Sequence, residues 1–413
     1  MQWRLAEDAL RAVLGEGQGA DHWLQAAFRE RRQMGARDRG VVSDLVYGVL
    51  RDLRRLQAVA GSDAPAALCA VHALERDDAI ELERYGIAGA DADALRGRVL
   101  AARGQVFAPA VAGNVPDWVD AAFQAQFGAE AAAALERALQ QQAPVDLRVN
   151  RLRGDRGEVQ AALRDAGIEA EPTPFAPFGL RLARRAALHT LAAYRDGWFE
   201  PQDEGSQLLA RLVGAVPGSC VVDYCAGAGG KALALAADMD DRGTLWAFDS
   251  EPGRLRRLEP RARRAGVHCI RSAGLGADGL PPPGIGAPRA GEADAVLVDA
   301  PCSGTGTWRR QPEARLRPLD FDALTTLQAA ILERAATLLR PGGRLVYATC
   351  SLLDVENRGV VEAFVERHPE FVPVDAGAVL AAQGIDLPGA YLQLRPDLHG
   401  TDGFFGAVLQ RAD

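Results

Sequence analysis

The sequence predicts an α/β protein in which a doubly wound, mostly parallel sheet follows an all-helical region and a small α+β unit. Three observations lead to this prediction. Strands and helices alternate from about residue 203 onward, the first 140 residues carry a helical pattern, and residues 145–149 between them alternate apolar with polar side chains. These changes of pattern place the domain limits at 1–140, 141–200 and 201–413, and the chain is long enough for separate hydrophobic cores.

The N-terminal region is predicted to be helical throughout. Apolar residues at spacings of three and four would form one face of an amphipathic helix, and the clearest run comprises Val42, Leu45, Val46, Val49, Leu50, Leu53 and Leu56. Glycine and proline at 61–65 and 112–116 separate further helices. A helical module without clustered reactive side chains is typical of binding or support, so we expect no catalysis here.

The middle region, 141–200, is predicted to be a small α+β unit. Residues 145–149 have the alternation of a half-buried strand. A helix would begin after Asp155 and stop at Gly167, and an extended stretch follows at 168–182. We therefore expect a β-α-β unit that leads into the C-terminal domain.

Residues 201–413 are predicted to form the large sheet. Seven short runs have the apolar character of strands: 220–224, 244–249, 267–271, 294–299, 344–349, 371–374 and 403–409. A helix is predicted over 321–340, ended by Pro341-Gly342-Gly343, and the glycine- and proline-rich stretch 274–292 is predicted to be a surface loop.

The composition of the chain narrows its class. No apolar run reaches the length of a membrane span and the first residues lack the pattern of a signal peptide, so we expect a cytoplasmic protein without a membrane partner. Six cysteines, none in a C-x-x-C pair, predict free thiols and no metal site.

The net charge of −8 argues against a nucleic-acid partner, but arginines cluster locally. Four of them are candidate phosphate contacts, namely Arg309, Arg310, Arg315 and Arg317. We expect a monomer.

A glycine-rich loop, Cys225-Ala-Gly-Ala-Gly-Gly-Lys231, follows a predicted strand and precedes a helix. This order brings backbone amides close to a ligand at the positive end of the helix. The loop is not a phosphate-binding Walker loop, because cysteine and alanine stand where glycine and serine or threonine are required. Asp249, at the end of the next strand, could bind the ribose of a nicotinamide cofactor or of S-adenosylmethionine. Of 47 basic residues, 46 are arginine and one, Lys231, is lysine, which indicates a role that needs a compact ammonium.

Two cysteines follow predicted strands at one edge of the sheet. Cys302 lies beyond the strand that ends at Asp299, since Pro301 prevents further pairing, and Cys350 follows the strand 344–349. Two thiols and a carboxylate beside an adenosine cofactor suit methylation of cytosine carbon 5. That carbon becomes nucleophilic only when a thiolate adds to carbon 6, and a second thiol can assist the later release of the base. A lone cysteine at such a place is usually a small buried apolar residue, but two of them favour this chemistry.

Six motifs lie in or beside the predicted sheet: Asp299-Ala-Pro-Cys302-Ser-Gly-Thr-Gly, Tyr347-Ala-Thr-Cys350-Ser, Cys225-Ala-Gly-Ala-Gly-Gly-Lys231, Gln202-Asp203-Glu-Gly-Ser206-Gln207, Arg309-Arg310-Gln-Pro312-Glu and Asp402-Gly403-Phe404-Phe405. Together they resemble the motifs of the RNA 5-methylcytosine methyltransferases of the Sun/RsmB family. Leu147-Arg-Val-Asn150 resembles the small RNA-side extension of that family, and Leu45-Val-Tyr47-Gly48-Val-Leu-Arg51 resembles the NusB-like domain of its ribosomal RNA branch. The resemblance implies a Rossmann-like, class I S-adenosylmethionine-dependent methyltransferase sheet, preceded by a NusB-like helical domain and an RNA-binding α+β extension.

The resemblance also implies a role for each matched residue. Cys350 would attack carbon 6, Cys302 would help release the methylated base, Asp299 would contact the cytosine ring, and Lys231 would orient Asp299 or lower the pKa of a thiol. The residues implied to hold S-adenosyl-L-methionine are Cys225, Ala226, Gly227, Ala228, Gly229, Gly230, Lys231, Asp249 and Asp299.

Two positions depart from the family pattern. Gly227-Ala228 stand where the family commonly has Ala-Pro, and Ser272-Ala273-Gly274 stand where an acidic residue would meet the adenine.

The prediction is an RNA cytosine-5 methyltransferase, with small-subunit (16S) ribosomal RNA as substrate and the target base single-stranded or flipped out. A transfer-RNA methyltransferase of the same family remains an alternative. So does a ribosome-assembly RNA-binding factor with weakened catalysis.

Overall fold

The computed structural model describes residues 2–413, which form two compact units. The helical unit comprises the chain up to Gln142 together with Thr307–Pro318. The sheet unit comprises Ala143–Gly306 and Leu319–Asp413. Among the described helices, none is both long and apolar enough to cross a membrane.

The helical unit packs short helices around one core. These helices are α1 (Gln2–Glu16), α2 (Ala20–Glu30), α3 (Ala36–Arg51), α4 (Leu53–Ala60), α5 (Pro65–Leu74), α6 (Gly89–Ala102), α7 (Pro109–Ala112), α8 (Asp117–Phe127) and α9 (Ala129–Gln140), with a 3₁₀ turn at Leu82–Tyr85. α5 is buried from Leu68 to Leu74 because it packs against α1, α3 and α4. Most of the apolar run 42–56 is buried as predicted, but a break at Asp52 divides it between α3 and α4.

The segment Thr307–Pro318, which follows Cys302 closely in the chain, packs into the helical unit. The guanidinium of Arg315 donates to the backbone carbonyls of Asn114 (2.6 Å) and Leu139 (3.4 Å). Arg315 is only 5% exposed. The prediction of Arg315 as a phosphate contact is therefore wrong, because its donors hold the segment against the helices.

The sheet unit begins with a four-stranded antiparallel sheet. Its strands are β1 (Asp146–Val149), β2 (Ala170–Pro172), β3 (Gly179–Leu182) and β4 (Phe199–Pro201), in the order β2-β3-β1-β4, and its helices are α10 (Arg156–Asp165) and α11 (Ala192–Arg195). Asp155 caps α10 in a capping box with Glu158. All four residues of β1 are buried, so the prediction of a half-buried strand is wrong. Its polar face, with Asp146 and Arg148, packs against the rest of the sheet unit.

The large sheet has the order β10-β12-β9-β8-β5-β6-β7, with β11 paired to β12. Its strands are β5 (Cys220–Asp223), β6 (Thr244–Asp249), β7 (Ile270–Gly274), β8 (Ala293–Asp299), β9 (Leu339–Thr349), β10 (Phe371–Val374), β11 (Leu392–Leu394) and β12 (Phe404–Arg411). The helices around it are α12 (Glu204–Val213), α13 (Gly230–Asp238), α14 (Pro252–Leu255), α15 (Leu258–Ala265), α16 (Phe321–Ala336), α17 (Arg358–Arg367), α18 (Ala376–Ala381) and α19 (Pro396–His399). The five strands from β9 to β7 are parallel, and β12 is antiparallel to its neighbours.

Successive residues of the central strands belong to two separate apolar cores. In β5, Val221 joins one core and Val222 the other, and Leu297 and Val298 of β8 divide in the same way. Both faces of the sheet are therefore covered, as parallel sheets require. The predicted α/β fold with a Rossmann-like methyltransferase sheet is confirmed.

Two predicted elements are displaced in the structure. The strand predicted at 267–271 runs from Ile270 to Gly274, because the amides of His268 and Cys269 are held by Asp241 and pairing with β6 starts only at Ile270. The helix predicted over 321–340 ends at Ala336, since Leu339 already pairs with Ala293 as the start of β9. The stretch 274–292 contains no helix, and no strand beyond the end of β7, as expected of a loop.

Candidate active site

The candidate site lies where four neighbouring parallel strands end. The glycine loop, residues 225–231, follows β5, and Asp249 ends β6. Asp299 ends β8, and Cys350 follows β9. Because the carboxyl ends of parallel strands meet at one sheet edge, the predicted residues from four distant parts of the chain come together.

The glycine loop owes its shape to two residues in the left-handed region. Gly227 has φ +55° and Gly229 has φ +79°, and a Cβ at Gly229 would collide with the side chain of Leu258. The buried carboxylate of Asp249 accepts from the amide of Gly227 (2.8 Å) and, through its other oxygen, from the amide of Glu251 (2.8 Å). Asp249 thus fixes the start of the loop, a role that sequence analysis did not foresee.

The lone lysine of the chain forms an ion pair at the centre of the site. Lys231 Nζ lies 2.7 Å from Asp299 Oδ2 and 5.8 Å from the ring centre of Phe404. Burial lowers the pKa of Lys231, but the charges of Asp299 and Asp223, the hydrogen bond to Asp299 and the proximity of Cys350 outweigh burial and raise it. The ammonium is therefore retained at neutral pH and faces both the carboxylate and a thiol.

The two predicted thiols are in contact. Cys302 Sγ and Cys350 Sγ lie 3.3 Å apart, and both side chains are partly buried. The hydrogen bond to Cys350 raises the pKa of Cys302 well above the usual value, and burial and the charges of Cys350 and Glu356 act in the same direction. Cys302 is therefore held in its protonated form beside Cys350.

A buried carboxylate, which sequence analysis missed, fastens both thiol loops. Glu356 is fully buried, and one of its oxygens accepts from the amide of Ser303 (2.7 Å) and from Gln328 Nε2 (3.0 Å). Its other oxygen accepts from Ser351 Oγ (2.6 Å). Ser303 adjoins Cys302 and Ser351 adjoins Cys350, so one side chain positions both. Its sequence signal is an acidic residue five positions after a serine that directly follows a strand-end cysteine.

A close approach of two backbones completes the site. The amide of Gly306 donates to the carbonyl of Cys350 (2.9 Å), and the amide of Gly403 donates to the carbonyl of Gly306 (2.8 Å). A Cβ at Gly306 would collide with the Gly403 carbonyl. Glycine is therefore required where the Asp402-Gly403 motif meets the Cys302 loop.

The predicted arginine contacts lie in the segment that packs into the helical unit. Arg309 is 4% exposed, so its guanidinium is not presented to solvent in this structure. Arg310 is partly exposed and Arg317 is exposed. Of the predicted cluster, Arg310 and Arg317 stay as predicted phosphate contacts.

Comparisons with known proteins point to one family. The model of the 16S rRNA methyltransferase RsmB/F family matches residues 211–410, and the model of an RsmF/B-like ferredoxin-like domain matches 115–189. A ribosomal RNA small subunit methyltransferase B from Xanthomonas campestris is 37% identical over 317 residues, which cover 74% of this chain and 68% of the relative. A probable enzyme of the same name from Synechocystis is 32% identical over 304 residues, covering 72% of this chain and 67% of the relative.

The chain belongs to the RsmB/F methyltransferase family. Among solved structures, PH0851 matches with a TM-score of 0.78 at 25% identity, covering 99% of this chain and 98% of that chain. The resemblance noted in the motifs is thus confirmed at the level of the family. S-adenosyl-L-methionine is the cofactor of this RsmB/F protein.

The residues at the sheet edge fit that cofactor. Asp223, at the end of β5, is 1% exposed, and neither of its carboxylate oxygens has a hydrogen-bond partner among the described residues. Burial raises the pKa of Asp223 to about 7, with the charges of Asp299 and Asp249 adding to the effect and Lys231 opposing it. The ammonium group in the methionine part of the cofactor would supply this carboxylate with a hydrogen-bond partner.

The end of the third strand of the parallel sheet order, where the family pattern would place an acid, is closely packed at Gly274. Gly274 is the last residue of β7, paired with Asp249 of β6. A Cβ at Gly274 would lie 2.8 Å from Pro252 Cγ. Pro252 therefore leaves no room for a side chain at Gly274, the last of the three positions where the family pattern would place the acid.

Proposed function

We propose that the protein methylates carbon 5 of a cytosine in RNA, through a covalent bond between Cys350 and carbon 6. The observation that carries the proposal is the contact of two thiols, 3.3 Å apart, beside the Lys231–Asp299 pair. One thiol and one acid–base pair suffice for many group transfers. A second thiol at contact distance suits a reaction in which one sulfur binds the base and another assists its release.

In the proposed first step the thiolate of Cys350 adds to carbon 6, and the electron pair of the double bond moves into the ring. Carbon 5 then becomes nucleophilic. The bound cofactor supplies an electrophilic methyl group. The carboxylate of Asp299 accepts a hydrogen bond from the exocyclic amino group of cytosine, and the ammonium of Lys231 stabilises the negative charge that develops on the ring.

In the proposed second step the Cys302 thiol first releases its own proton to solvent, and its thiolate then removes the proton from carbon 5. The hydrogen bond to Cys350 and its charge are among the causes that raise the pKa of Cys302. Both disappear once the Cys350 sulfur is bonded to carbon 6, so the pKa of Cys302 falls when a base is needed. Loss of the proton restores the double bond and expels the Cys350 thiolate, which returns the enzyme to its starting state.

We propose 16S ribosomal RNA as the substrate. The support comes from the curated relatives, which are named ribosomal RNA small subunit methyltransferase B, and from the RsmF/B-like domain at 115–189. The target cytosine must leave its stack, because carbon 6 cannot be attacked inside a helix. The NusB-like helical domain, the small α+β extension and Arg310 are the proposed RNA-binding parts, and such a substrate would be met in the cytoplasm.

The substrate is tested by methylation of protein-free 16S rRNA and of transfer RNA, each followed by bisulfite sequencing. We expect one 16S cytosine to become resistant to conversion, no change in transfer RNA, and no product with Cys350→Ala. Methylation of transfer RNA alone would establish the transfer-RNA alternative instead. Failure of calorimetry to detect S-adenosylmethionine binding at millimolar cofactor would favour the ribosome-assembly factor with weakened catalysis.

A further inference from the structure

The outer side of the glycine loop is held by charged residues that the proposed chemistry does not use. We propose that Arg148, Glu200 and Arg261, here called the loop clamp, fix the glycine loop in its binding conformation before the cofactor arrives. These are positioning residues, and two of them come from the small antiparallel sheet. The small sheet is therefore part of the cofactor site as well as a proposed RNA-binding surface.

Arg261 of α15 holds the middle of the loop. Its Nη1 donates to the carbonyl of Ala228 (2.6 Å), while Nε and Nη2 donate to Glu200 Oε2 (3.2 and 3.1 Å). Glu200 has only 4% of its side chain exposed, and its other oxygen pairs with Arg264. An ion pair with this burial and with two arginine partners is geometrically fixed, so the position of the Arg261 guanidinium is fixed too.

Arg148 of β1 holds the end of the loop. Its Nη1 donates to the carbonyl of Gly230 (2.7 Å) and to the side-chain oxygen of Gln202. Arg148 and Glu200 are cross-strand partners in the pairing of β1 with β4, so both side chains leave the same face of the small sheet.

The state of Arg148 shows that its burial is costly. It is 7% exposed, its Nε has no hydrogen-bond partner among the described residues, and burial lowers its pKa to about 10. No carboxylate of the described chain lies within 4.0 Å of its guanidinium. A buried cation without a direct counter-ion is destabilising. The hydrogen bonds of the Arg148 guanidinium to the loop carbonyl of Gly230 and to Gln202 compensate for part of this cost.

The loop needs such support because its own sequence does not stiffen it. Residues 225–231 contain three glycines and no proline, and glycine loses more conformational freedom than any other residue when it is ordered. The clamp holds the carbonyls of residues 228 and 230 from outside, and Asp249 holds the amide of Gly227. A loop that is ordered in advance binds its ligand without the entropic cost of ordering.

The experiment compares full-length Arg261→Gln and Glu200→Gln with Arg263→Gln. Arg263 is the matched control, since it lies on the same helix and forms an exposed pair with Glu259 (2.7 Å). For the clamp variants we expect S-adenosylmethionine affinity by calorimetry to fall about tenfold or more. Without cofactor, hydrogen exchange should accelerate at the amides of 225–231 and not elsewhere in the large sheet. Arg261→Lys, which keeps the positive charge but lacks the planar guanidinium that reaches both Ala228 and Glu200, should recover part of the affinity.

The proposal is overturned if the clamp variants bind the cofactor as Arg263→Gln does. It is equally overturned if affinity falls while exchange at 225–231 is unchanged, or if exchange accelerates throughout the sheet in both clamp variants, because the residues then act on folding in general. The inference rests on the cofactor assignment and not on cytosine-5 chemistry. Both readouts omit RNA, so a failed methylation assay would leave this test intact.

Discussion

The sulfur atoms of Cys302 and Cys350 lie 3.3 Å apart although 48 positions separate them in the chain. The cause is the pairing of β8 with β9, in which Asp299 stands beside Ala348. Each strand ends shortly afterwards in a loop that carries one cysteine, and Glu356 fastens both loops. The contact is therefore a consequence of strand order and of one buried carboxylate, and it sets the chemistry that the site can perform.

Replacement of Lys231 should greatly slow catalysis. Lys231→Gln removes the charge beside Asp299 and Cys350, so we expect single-turnover methyl transfer at saturating RNA and cofactor to fall roughly 100-fold or more. Arg254→Gln, which breaks an exposed pair with Glu251, serves as the control and should keep the wild-type rate. Equal rates of methyl transfer for the two variants would show that Lys231 takes no part in the mechanism.

Replacement of Glu356 should loosen both thiol loops. In Glu356→Gln an amide nitrogen faces hydrogen-bond donors, namely the Ser303 amide, the Gln328 side chain or the Ser351 hydroxyl. Leaving buried donors without acceptors costs about 1–3 kcal/mol each, so the free energy of unfolding in urea should fall by that order. The rate of methyl transfer should also fall, because the two cysteines are no longer held in place. Glu362→Gln on α17, an exposed partner of Arg358, should change neither quantity, and a wild-type rate in Glu356→Gln would refute the positioning role.

The stability of the cofactor-free protein should depend on the ionisation of Asp223. Burial raises its folded-state pKa from 3.8 to about 7, so between these values the folded protein keeps a proton that the unfolded chain has lost. This contribution makes stability fall as pH rises from about 4 to about 7, by up to about 1.4 kcal/mol per pH unit. Asp223→Asn removes this contribution to the pH dependence of stability, because the amide does not titrate.

Urea unfolding without cofactor at pH 5, 6, 7 and 8 checks this. The Asn variant should lose less stability than the wild type over the range and should be the more stable protein at pH 8. Asp322→Asn, at an exposed position in the first turn of α16, is the control for a general charge effect. Parallel curves for wild type and Asp223→Asn would show that the carboxyl group is not destabilised in the folded state.

The sequence alone predicted those strands whose signals lie within a few residues of one another. Apolar runs bounded by glycine and proline indicated β5, β6 and β8 to within a residue, and strand ends indicated which edge would carry Cys302 and Cys350. The predicted boundaries were wrong where a residue distant in the chain determines the end of the element. The end of α16 and the start of β7 depend on Ala293 and Asp241, which no local pattern reveals.

The supporting residues of the site were out of reach for the same reason. Arg148 lies in a strand whose alternation looks half-buried, and only the packing of the small sheet on the glycine loop shows that it is enclosed. Arg315 looks like part of a basic cluster until its carbonyl partners in the helical unit are known. Burial of a charged side chain is a tertiary property, so composition and periodicity cannot predict it.

The covalent role of Cys350 is tested most directly with RNA in which 5-fluorocytidine replaces cytidine. Fluorine at carbon 5 prevents the proton loss that precedes release, so the adduct should persist under denaturing conditions. Cys220→Ala, at the opposite edge of the sheet, should form the adduct as the wild type does. After nuclease and protease digestion, mass spectrometry should find the nucleotide on the peptide that contains Cys350. A nucleotide on the Cys302 peptide, or no adduct while methylation of normal RNA proceeds, would contradict the account.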